Sequence, residues 1–325
     1  MTVHPSHHKE TQMLKEKNRL IIAFLVPACI LYIVFFLWPA IQSFQYSLYY
    51  WRGFSAEKEF VGLRNFQQIL SLRPTFDSQF PFIHVNPMDA RFWMALRTTL
   101  LWTVVGGIIT FSLTFLLTAM LSSGIRGKNF FRAVIFLPNV VASVALAVLW
   151  GFIYNPRFGM LSGFFRLLGL EDLSKIPWLA PDRAAISVLV AMCWIWVGFY
   201  LVMLLAGVDR IPRDMFDAAK VDGANQFQVF FQVTVPLIWD VLSIAVIHFT
   251  ISALKVFEFP MIIMGRDPIR EIWSLGMYTY IKGFGKRDPI YRLGYSSALG
   301  ALTQVCVVVL IVVASRLFRR ESVEF

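Results

Sequence analysis

The chain has 325 residues, of which 57% are hydrophobic, 16% aromatic and only 15% charged, with a formal net charge of +10 and a mean hydropathy of +0.63. A soluble domain is roughly a quarter charged, so this chain has too little polar surface to cover a water-facing globule of its size. A disordered tail, a secreted disulfide scaffold and a nucleic-acid-binding domain are poor fits, and a membrane is the environment that the composition suits.

A helix needs about 20 apolar residues to cross the hydrocarbon core. Residues 20–38, 98–125, 133–156, 184–208 and 293–315 form uncharged runs of that order, and a sixth, 236–265, is interrupted by Asp240, Lys255 and Glu258. Backbone polar groups in lipid must be satisfied within the segment. The runs are therefore read as six spanning helices of an all-α membrane protein, 20–315, between a 1–19 tail and a 316–325 tail. The first run is longer than a signal core and has no small-residue cleavage site after it, so it is expected to be retained. Cys29, Cys193 and Cys306 lie in three different runs, which argues against a disulfide framework or a metal cluster.

Six spans put both termini on one side. Total counts of basic residues do not separate the two sides, but Arg126, Lys128 and Arg132, then Arg210, Arg213 and Lys220, then Arg316, Arg319 and Arg320 stand close to helix ends in the shorter segments on the side of the N-terminal tail, so that side is expected to be cytoplasmic. The outer loop 40–95 holds Trp51, Gly62, Pro74, Pro81 and Pro87, too broken for a helix, and 71–90 reads as a compact insertion. Helical spacing of Gly294 and Ala298 suits close helix contacts, expected to serve packing against a partner subunit.

The segment 209–236 is the most informative. Pro212 suits a first helical turn, and Ile211, Met215 and Ala218 or Ala219 recur on one helical face. Gly223 then permits a sharp reversal, and Phe227, Phe230, Phe231 and Val235 form a second stripe. Two short amphipathic helices at a tight angle suit docking into a groove on a partner protein.

Asp217-Ala218-Ala219, three residues, Gly223, nine residues, Val233, one residue, Val235-Pro236 resembles the EAA loop of binding-protein-dependent ABC importer permeases, with Asp for Glu and Val for Ile and Leu. The resemblance covers nearly the whole chain and points to the carbohydrate branch, similar to the maltose and glycerol-phosphate permeases. Phe60 to Phe66, Phe136-Leu137-Pro138, Trp150 to Gly159, Leu254 to Glu258 and Gly294 to Ala298 support it. The 71–90 insertion and the turn 264–268 depart from it. The resemblance implies a type I importer permease in a bacterial inner membrane with cytoplasmic termini, in which Asp217, Ala218, Ala219, Gly223, Pro236 and Met215 meet an ATPase. It implies a second permease subunit, in a heterodimer more readily than a homodimer. It also implies two cytoplasmic ABC ATPases, an outer solute-binding protein and a saccharide substrate.

The chain lacks a phosphate-cradling Gly-x-x-x-x-Gly-Lys-[Ser/Thr] loop: Gly127-Lys128 and Gly285-Lys286 lack the upstream glycine and the hydroxyl residue. It is expected to bind no cofactor and to catalyse nothing itself, with ATP and Mg held by the partner ATPase. In the fifth run His248, Ser252 and Lys255 fall on one helical arc with Glu258 beside it, and Pro260 is expected to end or kink the segment near Lys255. Intramembrane charges mark pathways, so these four residues are the candidate substrate path. Lys255 and Glu258 can equally neutralise each other at i and i+3, or couple ions in a secondary transporter. Trp150, Tyr154, Trp194, Trp196 and Tyr200 offer aromatic faces. The basic excess of the outer segments, with Lys255, favours an acidic oligosaccharide, and the chain is similar in this to permeases of alginate oligosaccharide importers.

Overall fold

In a computed structural model the described residues are 19, 21–53, 57–76, 83–87, 89–123, 125–265, 269–285 and 292–318. Most of both expected tails, and residues 266–268 of the divergent turn, lie outside them. Helix α1 (Ile21–Tyr46) carries no charge and is exposed along most of its length, and only its end packs back on the chain. A short hairpin follows, β1 (Tyr49–Tyr50) against β2 (Glu59–Phe60), and then α2 (Arg64–Leu70). The 71–90 segment contains a second antiparallel pair, β3 (Leu72–Phe76) and β4 (Ile83–Pro87), in the register Leu72↔Pro87.

Helix α3 (Ala90–Ser122) carries the longest span. The chain then runs through α4 (Lys128–Phe136), a tight turn at Leu137–Val140, α5 (Ser143–Ile153), α6 (Met160–Leu167), a single turn α7 (Glu171–Ser174) and the second long span, α8 (Ala184–Val208). Helices α9 (Arg213–Val221) and α10 (Gln226–Leu237) lead into α11 (Trp239–Leu254) and α12 (Glu258–Ile263). Finally α13 (Leu275–Phe284) precedes the last span, α14 (Leu293–Leu317).

Among the described residues four helices are long and apolar enough to cross a membrane, and two bent pairs make up to six if each is one span. The third run, 133–156, is thus not the straight helix expected from hydropathy, and the fifth in chain order, 236–265, expected to end or kink near Lys255, is bent at its start as well. The third bends by 99° between Val140 and Ser143, where Val141 and Ala142 are extended just after Pro138. The fifth bends by 77° at Ile238, behind Pro236. A proline lacks the N–H that its turn needs, and the widened turn Val229–Thr234 just before it is one way a helix accommodates that loss.

The core lies between α3 and α8, the most extensively packed pair. From α3, Ala95, Thr99, Trp102, Gly106, Thr110, Thr114 and Thr118 are buried at helical spacing, and all but Trp102 are small or short enough for the backbones to approach. A Cβ on Gly106 would meet Leu189 at 2.9 Å. The Trp102 indole donates to the Ala185 carbonyl at 2.9 Å, which fixes the relative height of the two helices. Gly198 of α8 meets the carbonyl of Ile135, where a Cβ would lie at 2.3 Å, and Asn139 donates to the Ile195 carbonyl at 3.0 Å. These contacts hold the bent third segment against α8.

Candidate coupling segment and substrate cleft

Helix α9 starts one residue later than the sequence suggests: Pro212 is its N-cap, not a first-turn residue. Ile211 is 6% exposed and packs with Phe216 into the chain's own core. Met215, expected on the same face as Ile211, is 42% exposed, so the two part company because Ile211 precedes the helix. Ala218 is exposed, Ala219 half-buried, and Asp217 pairs with Lys220 at 3.2 Å.

The reversal after α9 is built from two complementary caps. Gly223 has φ +78°, its N–H donates to the Lys220 carbonyl, and the Ala224 N–H reaches the Ala219 carbonyl, both at 3.0 Å. This is a Schellman motif, whose left-handed position suits glycine. Two residues on, Asn225 accepts from the Gln228 N–H at 2.9 Å and donates its own N–H to the Gln228 side chain at 2.8 Å, a capping box that starts α10. Two short helices are thereby held at a fixed turn with Val221, Phe227 and Phe231 exposed by 88%, 71% and 57%. Arg213, Asp214, Asp217, Lys220 and Asp222 surround them, and an exposed apolar patch rimmed by charge marks an interaction site.

One anchor of this segment was not legible in the sequence. Asp209, the C-cap of α8, pairs with Lys128 at 2.8 Å and Arg132 at 3.6 Å. Lys128 and Arg132 read in the sequence only as helix-flanking charges; their partner lies in a distant loop.

The four candidate path residues divide into two groups. His248 is exposed on α11, its Nδ1 3.0 Å from the Tyr200 hydroxyl and its ring stacked on Phe199. Ser252 lies beside the same hydroxyl. Lys255 and Glu258 instead line a cleft of about 540 Å³ with Pro138, Asn139 and Trp196. The helical arc breaks because α11 ends at Leu254, as Pro260 predicts, and the chain resumes helix only at Glu258. Among the described residues Lys255 and Glu258 do not form an ion pair, and both are exposed. The non-helical stretch is held from behind: the Ser274 hydroxyl donates to the Val256 carbonyl at 2.5 Å, and Gly276 abuts Phe257 and the Lys255 carbonyl. Irregular backbone within an apolar run is tolerated where it lines a cavity, and unwound segments of this kind form substrate sites in many transporters. Trp150, Tyr154 and Trp194 gather instead in a separate apolar recess of about 800 Å³.

A third cluster also escaped the sequence. Asp89 caps α3 through the Phe92 N–H at 3.2 Å, and its carboxylate accepts from the hydroxyls of Tyr278, at 2.6 Å, and Tyr295. Burial, and then the Asp89 carboxylate, push the Tyr278 hydroxyl far above its ordinary range, so it remains a donor. Lys282 lies over both phenol rings, and burial holds its ammonium below the usual lysine range, with Asp89 partly offsetting it. The cluster ties α3, α13 and α14 together. Asp89 stands 189 positions from Tyr278 and 206 from Tyr295, and only the helix-capping aspartate is visible locally.

Residues 110–322 match the family described as the binding-protein-dependent transport system inner membrane component. The chain belongs to that family, and is accordingly a membrane component of a transport system that depends on a binding protein. It is 30% identical over 299 residues, 91% of this chain and 94% of the other, to the probable ABC transporter permease protein YurN of Bacillus subtilis. To the trehalose/maltose transport system permease protein MalF of Thermococcus litoralis it is 29% identical, over 91% of this chain and 93% of that one. A solved bacterial alginate ABC transporter, in complex with an alginate pentasaccharide-bound periplasmic protein, contains a chain that superposes with a TM-score of 0.75 at 19% identity, covering 94% of this chain and 96% of that one. At that identity the likeness shows the fold.

Proposed function

We propose that this chain is a permease subunit of an ATP-driven saccharide importer of the type I class, with six spans and both termini in the cytoplasm of a bacterium. It forms half of a translocation path with a second, similar permease and receives substrate from an outer solute-binding protein. Two cytoplasmic ABC ATPases bind ATP and Mg and meet the segment 209–236. In this reading Asp217, Ala218, Ala219 and Gly223 allow close approach of the ATPase surface, with Met215 beside them, and Pro236 turns the chain into α11. Lys255 and Glu258 face the path, while His248 and Ser252 flank it around Tyr200. The relatives that transport sugars support a saccharide, and the basic excess of the outer segments with Lys255 supports an acidic oligosaccharide such as an alginate fragment.

The observation that carries the proposal is the coupling segment: an EAA-like spacing folded into two capped helices, with exposed Val221, Phe227 and Phe231 amid charged residues. In vesicles reconstituted with the partner subunits, Gly223→Asp is expected to abolish substrate-stimulated ATP hydrolysis while membrane insertion is retained. Unchanged hydrolysis would remove the coupling role. Uptake that persists without any ATPase would instead favour an ion-coupled carrier.

A further inference from the structure

The hairpin β1–β2, helix α2 and the start of α14 enclose a pocket of about 250 Å³ lined by Tyr50, Trp51, Glu59, Arg64, Arg292 and Tyr295. Its walls are fixed. The Gly294 N–H donates to the Trp51 carbonyl at 3.1 Å, and a Cβ on Gly294 would fall 2.0 Å from the Tyr49 carbonyl oxygen. The glycine expected to pack against another subunit is thus seated on the chain's own hairpin. Buried Asn65 donates to the carbonyls of Ser47 and Tyr49 at 2.8 and 3.1 Å, tying α2 to the same turn.

Within these walls the charges are unbalanced. Among the described residues neither Arg64 nor Arg292 has an ion-pair or side-chain hydrogen-bond partner, although Arg292 is half-buried. Among the described residues Glu59 is the single carboxylate on the lining. Nearby, Arg91 and Lys282 add positive charge against Asp89. A planar guanidinium matches a carboxylate through two parallel hydrogen bonds, and aromatic rings with Arg form the mixed apolar and polar wall of a small-ligand site. The volume lies below that of most ligand pockets, about 300 Å³ and upward, so it suits one ring or one charged group of a larger molecule.

We infer that this pocket is a carboxylate subsite, in which Arg64 and Arg292 hold a uronic-acid residue of an acidic saccharide before it enters the path. The inference rests on the importer reading, in which this end of α1 and α14 is the outer side. The shared chemistry is a carboxylate, and the solute-binding protein's acidic side chains are the other possible source of it.

The test uses the full chain in lipid nanodiscs at low ionic strength, titrated with trigalacturonate and, in parallel, with maltotriose. Trigalacturonate should bind the wild type in preference to maltotriose, and Arg64→Gln/Arg292→Gln should weaken it by roughly tenfold or more. Arg64→Lys/Arg292→Lys should retain part of the affinity, and unchanged thermal unfolding of both variants shows that the fold is intact. Equal binding of the two sugars, no binding of trigalacturonate, or no effect of the Gln/Gln change overturns the assignment. A Gln/Gln effect that appears only once the solute-binding protein is added gives the carboxylate to that protein and also overturns it. Failure here is distinct from failure of the importer reading. If the reconstituted complex takes up saccharide with ATP and the Gln/Gln variant leaves the KM for the uronate unchanged, only the subsite falls. If no ATP-driven uptake occurs at all, the importer reading falls.

Discussion

Replacing Asp89 by Ala removes three hydrogen bonds at once. Its carboxylate serves the Phe92 N–H, the Tyr278 hydroxyl and the Tyr295 hydroxyl, and Tyr278 is fully buried, so its hydroxyl would have no water to turn to. A hydrogen bond to a charged group contributes roughly 1.5–3 kcal/mol, and loss of an N-cap costs roughly 0.5–2 kcal/mol. Because the three bonds share one carboxylate, their losses do not sum, and about 3–5 kcal/mol is the expected destabilisation. In a detergent thermal-unfolding assay that corresponds to a fall on the order of 10 °C. Asp89→Asn keeps one acceptor oxygen and the cap and should lose only about 1–2 kcal/mol. Tyr278→Phe, which deletes one donor while the carboxylate keeps two others, should cost about 0.5–1.5 kcal/mol alone and should restore part of the stability in the Asp89→Ala background, where the buried hydroxyl is otherwise an orphan. A melting temperature for Asp89→Ala within a degree or two of the wild type, or additive effects in that double-mutant cycle, would refute the reasoning.

Two further outcomes follow from the coupling segment and the cleft. Reversing the ion pair at the root of the segment, Asp209→Lys, sets like charges together near Lys128 and Arg132 and should lower coupled ATP hydrolysis several-fold in reconstituted vesicles; Lys128→Glu in the same chain should restore much of it, and failure of that rescue counts against the pairing as the cause. Lys255→Ala should raise the KM for an acidic oligosaccharide more than kcat falls, with thermal stability preserved because Lys255 has no ion-pair partner to orphan among the described residues; wild-type uptake kinetics would remove it from the path.

The parts of this fold legible in the sequence are those set by local chemistry. Uninterrupted apolar runs marked α1, α3, α8 and α14, because a backbone in lipid can satisfy itself only within the segment. Gly223 marked the reversal because its left-handed φ is a local demand, and Pro260 marked the break at Lys255 because it withholds a single N–H. Hydropathy could not distinguish a straight span from a bent one: Val141 and Ala142 are as apolar as their neighbours, and what permits the turn there is the grip of Gly198 and Asn139 across the interface with α8. Periodicity likewise placed Lys255 on the arc of His248 by assuming a helix that ends one residue short of it. The Asp89 cluster and the Asp209 ion pairs are made between residues far apart in the chain, and no pattern within one window reports such a meeting.

The connection between the two ends of the proposed machine is short. Helix α10 leads through the bend at Ile238 directly into α11, and α11 ends at the unwound stretch that carries Lys255 into the cleft. The pivot is tightly packed: a Cβ on Gly207 of α8 would lie 3.2 to 3.4 Å from Val241 and Ile238, so α8 and α11 have little freedom to slide where they meet. A push on the exposed apolar patch of α9 and α10 therefore cannot be absorbed by local repacking at the bend. In the importer reading it tilts α11 as a lever and displaces the stretch 255–257 against its supports, the Ser274 hydroxyl and Gly276. Gly207→Val would wedge that pivot open, and the lever would then lose its fixed point. Nucleotide-driven motion would be taken up at Ile238, so ATP hydrolysis would continue while substrate no longer stimulated it. Gly207→Val and Gly223→Asp thus share the loss of substrate-stimulated hydrolysis, and co-purification tells them apart: Gly207→Val should keep the ATPase bound whereas Gly223→Asp should release it, which separates contact with the ATPase from transmission through the membrane.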